Sequence, residues 1–129
     1  MEFLYCFANA SLTQRVLHYL QRQMRQHVAS VTIIFLNDRW VTHLKLHSTV
    51  DVERGYDCWA VLNENGFPYH PTPSLALALH DLDAGHELTK VMNQFHVAIV
   101  SHGAPVPEEV NCFQKQFVAG LGYCPQALV

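Results

Sequence analysis

Residues 31–48, "VTIIFLNDRWVTHLKLHS", constrain the fold more tightly than any other stretch of the chain. Residues 31–37 form a β-branched, apolar run that ends in Asn37-Asp38, a pair suited to a turn. Residues 39–48 then alternate. Trp40, Thr42, Leu44 and Leu46 share one face of a strand, and Val41, His43, Lys45 and His47 share the other. A strand with one apolar and one polar face belongs beside an antiparallel neighbour, with the polar face wet. An antiparallel sheet is therefore expected at the centre of the molecule.

The flanking segments are read against that sheet. Residues 2–8, "EFLYCFA", are a short apolar run that suits a buried strand. "SLTQ" at 11–14 has the form of a capping box, with Ser11 as the cap, and Val16, Leu17, Leu20, Met24 and Val28 then recur at helical spacing. A helix is expected from about 12 to 29. The polar stretch 48–56 reads as a loop. "DCWAVL" (57–62) reads as a central strand, and Asn65-Gly66 as a tight hairpin turn returning through 67–70, where Pro68 and Pro71 confine the strand to an edge. Thr72 and Pro73 open a helix that Gly85 ends. Leu88, Val91, Met92, Phe95, Ile99 and His102 fit one helix over 86–102 that stops at Gly103. Glu108 and Glu109 suit the positive end of a last helix, with a stripe of Val110, Phe113, Phe117 and Leu121 and a stop at Gly122.

The resulting order, β-α-β-β-β-β-α-α-α, predicts an α+β fold. It is a single-domain two-layer sandwich of about four to five antiparallel strands against helices, spanning 1–122 and followed by a loose tail, 123–129. With 129 residues, half of them apolar and 15% charged, the chain can bury a core without metal or disulfides. Cys6, Cys58, Cys112 and Cys124 stand far apart with no C-x-x-C spacing. Reduced thiols are expected, in a cytoplasmic protein, since the first residues lack a basic leader. No apolar run approaches the roughly 18 residues that cross a bilayer.

Four sets of residues carry chemical potential. First, Asp57-Cys58-Trp59 resembles the surroundings of the catalytic cysteine in papain-like enzymes. It suggests a thiol hydrolase or transferase with His96 or His102 as base. A cysteine on a central strand gains no helix dipole, however, and a structural thiol is the plainer reading. Second, His80, Asp83 and His86 are candidate metal ligands, grouped with Asp81 and Glu87, although their spacing matches no established ligand pattern and no cofactor is expected. Third, Arg15, His18, Arg22 and Arg25 line the polar face of the first helix. Residues 1–30 hold three arginines against one acid, for +2, whereas the remainder holds five bases against ten acids, for −5. Fourth, His43, Lys45 and His47 share the wet face of their strand. The third and fourth sets are candidate contacts for another protein. A net charge of −3 leaves nucleic acid a lesser alternative. A homodimer also remains open.

Residues 59–85, "WAVLNENGFPYHPTPSLALALHDLDAG", resemble the plasmid SOS-inhibition B family, which restrains the bacterial recombinase. That family likewise runs through an N-x-x-G-x-P hairpin, here Asn63, Gly66 and Pro68, into a Ser-Leu-Ala-Leu-Ala helix. The similarity covers about a fifth of the chain. It implies an inhibitor or accessory protein of the kind a mobile genetic element carries. The expectation is a non-enzymatic protein that acts by protein–protein binding, with the Cys58 enzyme as the alternative.

Overall fold

In the computed structural model, which describes residues 1–129, the expected hairpin forms the middle of the sheet. β2 (Val28–Leu36) and β3 (Arg39–Leu46) pair in antiparallel register up to Leu36↔Arg39. Asn37 and Asp38 join them with φ of 52° and 59°. Two consecutive left-handed residues make the turn whose twist matches that of the strands, and Asn and Asp tolerate that conformation better than other residues with side chains.

β1 (Glu2–Phe7) pairs with the other side of β3, so β3 lies between β1 and β2. The chain crosses from β1 to β2 through α1 (Ala10–Gln23). After β3 come α2 (Val52–Asn65), the two-residue β4 (Phe67–Pro68), α3 (Pro73–Asp83), α4 (Leu88–Phe95), β5 (Ala98–Gly103) and α5 (Pro107–Leu121). The five strands form one antiparallel sheet in the order β4-β1-β3-β2-β5, which is the expected α+β class. No helix is long and apolar enough to cross a membrane.

Tyr5, Phe7, Ile33, Phe35, Trp40 and Leu44 pack against α1, α2 and α5 through Val16, Leu17, Leu20, Cys58, Leu62 and Val110. The opposite face of β3, expected to be wet, is covered as well. Val41 and Ile34 are buried with Leu75 and Leu79 of α3, and Ala78 and Leu82 of α3 bury against Val91 of α4. Alternation tells which residues share a face, but not whether a later helix will cover it.

Several segments depart from expectation. The stretch read as a loop and a central strand is α2. Asp51 caps it by accepting from the Arg54 N–H at 2.8 Å, Glu53 sits in its first turn, and Gly55, Cys58, Leu62 and Asn65 form its buried stripe. Asn65-Gly66 makes no hairpin. Asn65 ends the helix, its side-chain amide donating to the Val61 carbonyl at 2.7 Å. Gly66 is extended and passes so close to β1 that a Cβ would collide with the Cys6 carbonyl and the Phe7 ring. The helix expected over 86–102 breaks at His96, which adopts a left-handed conformation (φ 54°). Beyond it the chain becomes β5 because β2 offers an unpaired edge, and Ile99 satisfies either period. The first helix is also shorter than expected. Asn9, not Ser11, caps it by accepting from the Leu12 N–H, and Arg25 falls in the turn beyond its end.

The C-terminal residues, expected to be loose, are anchored. Gln126–Leu128 make a short 3-10 turn, Leu128 is fully buried, and the Trp40 indole N–H donates to the Ala127 carbonyl at 2.7 Å. Ser11 and Gln114 donate to the Val129 and Leu128 carbonyls. Leu128→Ala should therefore lower stability by about 2–5 kcal/mol in urea unfolding, as core truncations do. The exposed Tyr123→Ala should change it by less than about 0.5 kcal/mol.

Candidate functional site

Cys58 lies mid-way along α2 with no exposed surface, so it has neither a helix N-terminus nor solvent access. Burial pushes its thiol up to about 12, the opposite of what a nucleophile needs. The candidate bases lie elsewhere. His102 is on β5, and its Nδ1 meets the Thr32 hydroxyl at 2.6 Å. Thr32 alternates with Val31 and Ile33, whose side chains join the core beneath α2, so the sheet stands between His102 and Cys58. His96 is an exposed cap of α4, a helix on that same far side. The structure does not assemble the thiol dyad.

The metal candidates separate too. His80 and Asp83 border an open cleft of about 470 Å³ with Glu2, Leu4 and His43, whereas His86 turns to Asp81, 3.8 Å away. No group of three or more His, Cys, Asp or Glu side chains gathers into a metal site. Of the strand-face contacts, His43 is a correction: it is buried under α3, where its Nε2 meets the Glu2 carboxylate and its Nδ1 has no partner. With the proton on Nε2, the orphan is a bare acceptor rather than a donor, which leaves one lone pair uncompensated. Lys45 is half-exposed and engaged by Asp83 at 3.2 Å. His47 is exposed, its backbone N–H bound to the His27 carbonyl.

The arginines do come together, with an addition. α1 and α2 lie side by side and antiparallel. Arg15, early in α1, points its guanidinium at the Asn65 side chain at the end of α2, 3.5 Å away. Arg22, late in α1, shares a recess with Arg54 from the first turns of α2. That recess has a volume of about 430 Å³ and is lined only by polar residues: Arg22, Arg25, Arg54, His27 and three glutamines, Gln21, Gln23 and Gln26. The one carboxylate paired with it is Asp51, whose oxygen is 3.7 Å from Arg54 Nε. That separation is long for an ion pair between exposed groups, so Asp51 offsets little of the charge of the three guanidiniums. Arg15 stands apart from the cluster, one end of the helix away.

Arg54 was missed because 48–56 read as a loop. The signal was present in the spacing Gly55, Cys58, Leu62 and Asn65, at i, i+3, i+7 and i+10, behind an aspartate cap. The same misreading hid an apolar groove on the other flank of α2. Met1, Phe3, Val52, Tyr56 and Trp59 line about 340 Å³ there, and Trp59, expected to be buried, is 49% exposed.

No family model, curated protein or solved structure matches the chain. The hairpin that carried the likeness of residues 59–85 to the SOS-inhibition family is not formed.

The thiol geometry yields a direct expectation. In the native protein a thiol reagent should label the exposed Cys112 and Cys124, and Cys58 only after unfolding. Because the folded protein holds the Cys58 proton above the pKa of an unfolded cysteine, the contribution is intact below about pH 9. It declines as pH rises toward 12, by about 1.4 kcal/mol per pH unit, because the unfolded chain releases that proton first. Cys58→Ala should flatten the alkaline fall of stability measured by urea unfolding at pH 9 and 10.

Proposed function

We propose that the protein is a cytoplasmic, non-enzymatic binding protein, an inhibitor or accessory factor that docks on an acidic surface of another protein through Arg22, Arg25 and Arg54. The observation that carries this reading is the recess itself, where two helices and a turn converge three guanidiniums and three side-chain amides on one concave, wholly polar surface. Guanidiniums present several donors in a rigid plane and match carboxylates two at a time. Part of their number is accounted for locally, since Arg22 in the last turn of α1 also offsets the negative end of that helix. Arg25 and Arg54 have no such role.

An acidic protein segment fits better than a phosphate backbone. Glu53, Asp57 and Glu64 are exposed at helical spacing along the outer side of α2, the first two beside the recess and Glu64 farther along the helix. A nucleic-acid strand passing over the arginines would run onto those carboxylates, whereas two or three acidic side chains can enter the recess alone. The net charge of −3 adds no long-range attraction for nucleic acid. A mobile-element origin rests on residues 59–85 alone and adds nothing to this reading.

Arg22→Glu/Arg25→Glu should leave the circular dichroism spectrum unchanged and cost only about 1 kcal/mol of stability, from the lost charge at the end of α1, while weakening anisotropy-detected binding of a fluorescent hexaglutamate peptide at least about tenfold. Equal binding by parent and variant would sink the proposal. So would tighter binding of a single-stranded oligonucleotide that the same substitutions abolish, since the recess would then serve phosphates.

A further inference from the structure

The two edges of the sheet are built differently. β4 closes one side with only two residues, and one of them is Pro68, which has no N–H to offer a neighbour. β5 closes the other with six residues, Ala98–Gly103, and has β2 on its inner side and no strand on its outer side. It contains no proline, lysine or carboxylate, the residues with which folded proteins usually blunt an edge. Half of its N–H and C=O groups therefore point outward along roughly 20 Å of extended backbone.

That edge is also walled. An open groove of about 500 Å³ runs beside it, with Met92 of α4 on one side, Cys112, Phe113 and Gln116 of α5 on the other, and Ala98, Ile99 and Val100 of β5 as its floor. Glu108 and Glu109, in the first turn of α5, stand at its rim. An unpaired strand edge lying between two helices offers what strand addition requires: main-chain hydrogen bonds for affinity, and apolar walls that receive alternate side chains.

We propose that the outer edge of β5 accepts a short extended segment of a partner protein, adding a sixth strand to the sheet, and that Glu108 and Glu109 select a segment with lysine or arginine between its apolar residues. Charge argues against the obvious competitor, a second copy of this chain. Two β5 strands paired antiparallel about a two-fold axis would carry both α5 helices, and with them the four carboxylates of Glu108 and Glu109, on the same face of the joined sheet. A basic segment neutralises those carboxylates instead. The β5 groove shares no lining residue with the arginine recess, although Arg25 of that recess borders Gly103 at the end of β5. It takes the opposite charge and rests on a different observation, so it stands or falls independently of that reading.

The test uses the full chain, labelled with nitrogen-15, titrated with a capped peptide of alternating lysine and valine and with its glutamate-valine counterpart. The lysine peptide should shift the amide signals of residues 98–103 and slow their hydrogen exchange. The glutamate peptide should shift those β5 signals at least about tenfold more weakly, any binding it makes at the arginines being read from other amides. Glu108→Lys/Glu109→Lys, at two exposed positions, should reverse the preference with the fold intact, and Val100→Pro should abolish both effects. Lysine-peptide shifts that map away from β5, equal affinity of the two peptides at the β5 amides, or a concentration-dependent dimer that protects β5 without any peptide would each overturn the proposal.

Discussion

The structure depends on Trp40. Its ring is fully buried on β3, 5.1 Å from that of Phe35 and 5.7 Å from that of Phe113, and its indole N–H is held by the Ala127 carbonyl. Phe117 extends the cluster along α5, 5.5 Å from Phe35. One side chain thus ties the central hairpin to α5 and to the end of the chain. Tilted and edge-on contacts of this kind add to the area term, and the N–H partner removes the cost of burying a polar atom. Because α5 is held by these rings, the wall it contributes beside β5 is rigid. Its acidic first turn stays where a strand added to that edge would lie.

The arginine recess depends on a different contact, the antiparallel packing of α1 on α2. Leu17, Leu20, Cys58 and Leu62 bury between those helices and the sheet. A thiol at position 58 suits this place because it is small, apolar when protonated, and kept protonated by its own burial. The residue that looked most like a nucleophile therefore works as packing. It holds α2 where Arg54 can reach Arg22 and Arg25. The recess and the groove beside β5 carry opposite charge.

Much of the sheet was legible because its signals are local. The alternation of 39–46 and the Asn37-Asp38 turn each lie within a few residues, and the edge position of Pro68 follows from its missing N–H. The helices at 73–83 and 107–121 were announced by Thr72, Pro73, Glu108 and Gly122 for the same reason. Residues 57–62 and 96–102 were not legible. Short apolar runs satisfy a strand period and a helix period equally well, and the competition is settled by the surface each run meets. Of the candidate site, Arg22 and Arg25 were legible as an exposed basic stripe. Arg54 was not, since its membership rests on a contact between residues about thirty positions apart.

By itself, then, the sequence determined an α+β chain with a β2–β3 hairpin at its centre and an excess of positive charge on its first helix. Spacing, turn chemistry and composition are properties of neighbouring residues, and they survive without a fold. Tertiary structure alone decided that Cys58 lies inside a helix, that His43 is covered by α3, that the C-terminal residues close over Trp40, and that β5 is left with an open edge. Each of these follows from which surfaces meet, and burial or pairing across the fold overrides a local preference worth only a fraction of a kcal/mol per residue.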